Sequence, residues 1–366
     1  MIEKLSIKNY KSIKDLNLDC KKINLFIGKP NVGKSNILEA ISLFQNGVGD
    51  NIRKEDFRNL FFDQDISETI RIESTFHEVE INYHSSINKF SFINNFGIGA
   101  SFDFSLFKPK TFYDYLHANT FHSNVNNNTH KKIEHLLSNV KGFISKFYDK
   151  SGDLDINFTN KKFKHKFKPY LFKKGSYNTP QKEDANLTTL AHPFGENLFT
   201  VLKNNRPLLR ETSELFKEYG YNLVIDFVTD QAEIQKNVDG VVYKIPFILI
   251  ADTLQRMIFH TCAIRSNKNN ILLFEEPENH SFPPYIKRLA YEFIEDESNQ
   301  FFIATHSPYL FDTIVADAPE KDVAVYVVTF ENFQTKTRLL TSEEISTITN
   351  HGIDVFFNLN LFSNES

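Results

Sequence analysis

Short unbroken apolar runs alternate with stretches of helical spacing through most of the chain. Residues 5–7 and INLFI at 23–27 read as strands, the second apolar throughout, as expected for a strand buried on both faces of a parallel sheet. The segment NILEAISLF places Ile37, Leu38, Ile41 and Phe44 at helical spacing, which predicts one buried stripe. From about 70 to 107 the rhythm becomes period two, in IRIESTF and EVEINY, and predicts antiparallel strands. Residues 108–220 are mixed. They hold an Asn-rich loop at 126–128 and helical patterns in KKIEHLLSNVKGFISKFY and ENLFTVL, with two helices expected to part near Pro207. Strand patterns return in NLVIDFV and GVVYKIP. An apolar helix, PFILIADTLQRMIFHTCAI, comes next, followed by core strands in ILLFEE and FFIATHS and a closing pair in VAVYVVTF and KTRLLT. No internal repeat or sustained heptad accompanies this order.

Composition narrows the class without naming it. The 366 residues are 41% hydrophobic and 24% charged, enough for a sizeable core, and the formal net charge of −4 advertises no global affinity for nucleic acid. Cys20 and Cys262 lie far apart among apolar neighbours, a pattern of free buried thiols in a reducing compartment. The N-terminus lacks a signal-peptide core and no run approaches a membrane span, so a cytoplasmic protein without membrane partners is expected.

Three segments carry candidate chemistry. FIGKPNVGKSN at 26–36 fits G-x-x-x-x-G-K-[ST] and stands between a strand and a helix, the context a phosphate loop requires. Gly28 and Gly33 permit close backbone approach, so that amides through Asn31 and on to Asn36 face phosphates at a helix N-terminus. Lys34 would neutralise phosphate charge and Ser35 would offer its hydroxyl to Mg²⁺. In ILLFEEPENH, an apolar strand ends in Glu275, a candidate for Mg²⁺, and Glu276, a candidate for polarising the attacking water. In FFIATHSPYL, His306 occupies the same end of another strand. Pro30, Asn31 and Val32 invite comparison with small GTP switches. The guanine-reading N-K-x-D pattern is missing after the Glu-Glu strand, however, and the later His does not suit that class.

Taken together, LSIKNYKSIKDLNL, GKPNVGKSN, LLFEEPENH and IATHSP resemble the ABC-type ATPases of the SMC, RecF and OLD group, in particular compact stand-alone bacterial members. The resemblance implies an α/β P-loop NTPase with an ABC-ATPase-like head: a mixed parallel sheet and an antiparallel β subdomain, interrupted by a mixed, largely helical insertion. The head halves would occupy 1–105 and 221–366, with the insertion at 106–220. It further implies ATP and Mg²⁺ as ligands, Glu276 and His306 as catalytic residues, Lys11 near the phosphates, and Gln64 as the Q-loop glutamine near the metal with Ser35 and Glu275. Such heads act as homodimers or higher oligomers, work with separately encoded nucleases or toxins, and serve DNA transactions or antiviral defence. No carboxylate-rich Toprim-like segment is expected after His306, so nuclease work would fall to a partner.

Two segments depart from this pattern or lie outside it. Where the group carries a serine-glycine signature contacting the partner's nucleotide, this chain has IADTLQR. Asp252, Thr253, Gln255 and Arg256 are the candidate substitutes, Arg256 as a trans cation, against the alternative of a plain buried helix capped by Asp252 or Thr253. This leaves a second functional reading open, a nucleotide-sensing scaffold with little hydrolysis that holds an effector inactive. The basic run NKKFKHKFKPYLFKKG, read as a strand, puts Lys162, Lys164, Lys166 and Lys168 on one solvated face. Three readings stand: DNA phosphate contact, an edge strand protected by lysines, and docking of an acidic partner.

Overall fold

The computed structural model describes residues 1–44, 58–84, 89–96, 143–148, 167–178, 188–226 and 231–363, with backbone alone at 84, 89–96, 143–148 and 178. In chain order, the strands and helices of the first half are β1 (Lys4–Tyr10), β2 (Ile13–Asp19), β3 (Ile23–Ile27), α1 (Lys34–Ser42), β4 (Ile70–Ser74), β5 (His77–His84), β6 (Lys89–Phe96), β7 (Phe143–Tyr148), β8 (Phe167–Tyr170), α2 (Leu198–Asn204) and α3 (Arg206–Lys217). The second half adds β9 (Asn222–Ile225), β10 (Ala232–Val238), β11 (Val241–Pro246), α4 (Asp252–Arg265), β12 (Ile271–Glu275), α5 (Pro283–Glu295), β13 (Gln300–Ala304), α6 (Pro308–Asp317), β14 (Val323–Glu331), β15 (Gln334–Leu339), α7 (Ser342–His351) and α8 (Leu359–Phe362).

The central sheet has the order β15-β14-β3-β13-β12-β8, parallel from β14 to β8 with β15 antiparallel at one edge. Alternate side chains of its strands leave on opposite faces, and each face has its own core. Ile23, Leu25, Ile27, Leu272, Phe274, Phe301 and Ile303 meet the helices of the second half. Phe26, Leu273, Phe302, Ala304, Ala324 and Tyr326 meet α1 and the antiparallel sheet β2-β1-β4-β5-β6-β7. A third sheet, β11-β10-β9, stands beside the first core. The mixed α/β class and the parallel sheet expected from the apolar runs are observed. No helix among the described residues is long and apolar enough to cross a membrane.

The middle block differs from its expectation. β7 takes residues that the spacing of KKIEHLLSNVKGFISKFY assigned to a helix; FISKFY is rich in aromatic and β-branched residues, and pairing with β6 decides the outcome. β8 is an edge strand of the central sheet, parallel to β12, and α2 and α3 bury Leu198, Phe199, Leu202, Leu208 and Leu215 in the same core as α4. β8, α2 and α3 therefore share the core that packs on the central sheet. The two helices expected from HPFGENLFTVLKNNRPLLRETSELF are present, parting at Asn205, which caps α3 by accepting the Leu208 N–H at 3.1 Å.

The lysine run changes meaning with this topology. Lys162, Lys164 and Lys166 lie outside the described residues. Lys168 is only 7% exposed and donates to Asn267 Oδ1, whose own amide donates to Tyr170 Oη at 2.8 Å. A solvated cationic face at Lys168 is ruled out, since strand pairing with β12 turns its side chain inward. In α4, His260 is almost fully buried between Phe259 and Phe274, and neither ring nitrogen has a hydrogen-bond partner. Burial, with Arg256 nearby, pushes its pKa down to about 3 and keeps the ring neutral.

Candidate functional site

β3, β12 and β13 lie side by side and parallel, so their carboxyl ends open on the same edge of the sheet. A cavity of about 340 Å³ forms there. It is lined by Pro30, Asn31, Gly33, Lys34, Ser35 and Asn36 after β3, by Glu275 and Glu276 at the end of β12, and by Ala304 and His306 at the end of β13. Three segments far apart in sequence thus converge on one volume.

The loop between β3 and α1 is held by steric and polar contacts. Asn31 takes a left-handed φ of 63° and Gly33 one of 99°, turning the chain into the helix. A Cβ on Gly28 would overlap the Val328 carbonyl oxygen, and one on Gly33 the Thr335 hydroxyl, so neither position accepts a side chain. Asn36 Nδ2 donates to Ser12 Oγ at 2.6 Å, Ser12 shares a 2.7 Å bond with Thr335 Oγ1, and Thr335 donates to the Val32 carbonyl at 2.9 Å. The last bond uses the Thr335 proton, which makes Ser12 the donor to Thr335 and gives the chain a single direction. Ser12 and Thr335 were invisible as site residues in sequence. Their only signal is a hydroxyl beside the NYKSI turn and another on a closing hairpin.

Lys34 donates to the Gly28 and Lys29 carbonyls at 3.0 and 2.9 Å, so its ammonium lies across the loop. Burial lowers its pKa to about 8, opposed by Glu276, Glu275 and Glu278, which leaves it mostly protonated at neutral pH. Ser35 donates to Glu275 Oε1 in direct contact. A hydroxyl touching a half-open carboxylate is a pair of hard oxygen donors and suits Mg²⁺. Glu276 adopts φ 43°, donates its N–H to the Ala304 carbonyl at 2.8 Å, and accepts from Asn279 Nδ2 at 2.5 Å. His306 Nε2 stands 3.4 Å from Glu276 Oε1. Burial, then Lys34, lowers the His306 pKa against the pull of Glu276, favouring a neutral ring.

Residues 1–238 match the AAA ATPase domain family. The chain belongs to that family. This AAA ATPase domain protein is similar in fold to three solved SMC heads. One is an SmcHead bound to the C-winged helix domain of ScpA, at 15% identity, covering 95% of this chain and 99% of that one, with a TM-score of 0.48. A second is the SMC head domain from Thermotoga maritima, at 10% identity, coverage of 93% and 99%, and a TM-score of 0.41. The third is an Smc head with an extended coiled coil bound to the C-terminal domain of ScpA derived from Pyrococcus furiosus, at 14% identity, coverage of 96% and 98%, and a TM-score of 0.42. No curated protein matches the chain. The family match makes this an ATP-binding ATPase domain and agrees with the resemblance read from its motifs.

Other expected site residues lie elsewhere. Lys11, at φ 49°, pairs with Glu39 on α1 and is not among the cavity-lining residues, because the turn after β1 directs it along the helix. Gln64 is exposed, donates to Asn59 Oδ1 at 3.1 Å and does not line the cavity. At the start of α4, Gln255 is wholly buried, donating to the Ile248 and Ile250 carbonyls at 3.2 and 2.7 Å and accepting from the Tyr177 hydroxyl. Its burial removes it as a trans contact. Arg256 pairs with Asp252 at 2.7 Å and lies over the Phe172 ring at 4.5 Å; Thr253 donates to the His280 carbonyl at 2.6 Å. Ala251, not Asp252 or Thr253, is the N-cap, without a side-chain bond.

Proposed function

We propose that this protein binds Mg-ATP at the β3–β12–β13 edge and hydrolyses it as an ABC-type head that pairs with a second copy around the nucleotide. The observation that carries the reading is the meeting of Lys34, Ser35, Glu275, Glu276 and His306 on one cavity. Loop amides and Lys34 would hold the phosphates, and Ser35 with Glu275 would hold Mg²⁺. Bound there, the metal would supply neutralisation of phosphate charge. Glu276 would orient the attacking water and accept its proton, and a neutral His306 beside it would donate a hydrogen bond without adding charge. The pairing would drive or gate a separately encoded effector, a nuclease or toxin, in DNA transactions or antiviral defence within the cytoplasm.

A scaffold reading is favoured by one observation. Arg256 is engaged within its own chain, paired with Asp252 through Nε and lying over the Phe172 ring, rather than held out towards a second copy. In this reading ATP binding holds the effector inactive and turnover is incidental. Glu276→Gln separates the two. An enzyme loses turnover and accumulates an ATP-bound dimer, seen by size-exclusion with light scattering. Wild-type turnover no faster than that of Glu276→Gln removes the hydrolytic reading and leaves the scaffold.

A further inference from the structure

Glu278, the third carboxylate of the FEEPENH turn, does not line the cavity and is only 6% exposed. Its Oε1 accepts the Thr305 hydroxyl at 2.6 Å and the His306 backbone N–H at 2.9 Å. Oε2 is buried without a hydrogen-bond partner. The position of these bonds explains their importance. The β12–β13 register ends at the pair Glu275–Ala304, and beyond it the two chains diverge into the turns carrying Glu276 and His306. One backbone bond, from Glu276 N–H to the Ala304 carbonyl, extends the ladder by a step. After that, the Glu278 side chain holds the turns together by hydrogen bonds, beside the 3.4 Å approach of His306 Nε2 to Glu276 Oε1. Its hold spreads further: Thr305 Oγ1 accepts the Ser307 N–H at 3.0 Å, and Ser307 Oγ caps α6 by accepting the Leu310 N–H at 3.3 Å.

Burial raises the Glu278 pKa above the ordinary carboxyl value, and the acceptor role of Oε1 is one that an amide oxygen can also fill. We infer that Glu278 is the positioning residue that sets His306 against Glu276, so that it governs the rate of hydrolysis and not the affinity for nucleotide. This rests on the hydrolytic reading above.

The test compares Glu278→Ala, Glu278→Gln and Thr305→Val with wild type in steady-state ATP turnover and in binding of a fluorescent ATP analogue. Displacing a reacting group by about 1 Å costs of order 10²-fold in rate, so Glu278→Ala should lose about that much kcat while KM and analogue affinity stay within about threefold. Glu278→Gln keeps an oxygen for both donors and should stay within about threefold of wild type, whereas Thr305→Val, deprived of one donor, should lose about tenfold in kcat. If Glu278→Ala does not fold, the other two variants decide. Unchanged kcat in Glu278→Ala or Thr305→Val, analogue affinity falling as far as kcat, or Glu278→Gln as impaired as Glu278→Ala would each overturn the inference. Wild-type turnover above that of Glu276→Gln with any of those results overturns it alone; wild-type turnover at the Glu276→Gln level removes the hydrolytic reading and this inference together.

Discussion

The carboxyl ends of β3, β12 and β13 and the N-terminus of α4 hold similar sets of polar side chains, yet they put them to opposite uses. At the strand ends, Lys34, Glu276 and His306 face a shared cavity, braced from behind by Ser12, Thr335 and Glu278. At α4, Asp252, Thr253, Gln255 and Arg256 spend their polar groups inside the chain. The difference lies in how each backbone ends. A parallel strand buried on both faces must release its next residues at the sheet edge, where neighbouring strands release theirs. A helix packed at its first turn hides residues according to which side meets the core.

The sharpest break of this contrast is Lys34→Ala. Two charge-assisted contacts at about 1.5–3 kcal/mol each correspond to a loss of nucleotide affinity of about 10²-fold or more, measured by equilibrium binding. Undiminished affinity would take the nucleotide away from this edge. Gln255→Ala should act on stability instead. It strips partners from the Tyr177 hydroxyl and two carbonyls and opens a buried space, at about 2–4 kcal/mol in urea unfolding, with nucleotide affinity unchanged. Arg256→Ala, by comparison, should cost about 1 kcal/mol or less, as befits a partly exposed pair.

His260→Phe tests the interior of the same helix. Removing two unpartnered ring nitrogens should stabilise the fold by about 1–3 kcal/mol at neutral pH. The pH dependence has a fixed sign. The folded pKa of about 3 lies below the ordinary 6.5, so protons favour the unfolded chain, and stability is lost as pH falls from 6.5 towards 3. Thermal melts of His260→Phe should therefore decline less over that window than those of wild type. A comparably small effect is expected on the site side. Thr335→Val breaks the brace to Val32 and Ser12 and should weaken nucleotide binding by about 1 kcal/mol, roughly fivefold, with little change in melting temperature.

Legibility followed the same division. The strand-loop-helix around Lys34 and the ends of β12 and β13 could be read because an apolar run followed by polar residues fixes both element and location. Lys168 could not, because its alternation is the same whether the strand lies at a solvated edge or against β12; pairing buried it. Gln255 carried no mark in the sequence of its hydrogen bonds to Tyr177, which lies 78 positions away. The Thr335 brace, 303 positions from Val32, was equally hidden.

By itself the sequence marked the phosphate loop, the paired carboxylates and the apolar runs that end in them, since these depend on local periodicity and on glycine spacing, whereas the strand order that brings them to one edge came from the fold. Tertiary structure alone decided which polar residues stay available. Availability depends on what the fold packs against each one, and in Glu278, Gln255 and Lys168 that neighbour comes from a distant part of the chain.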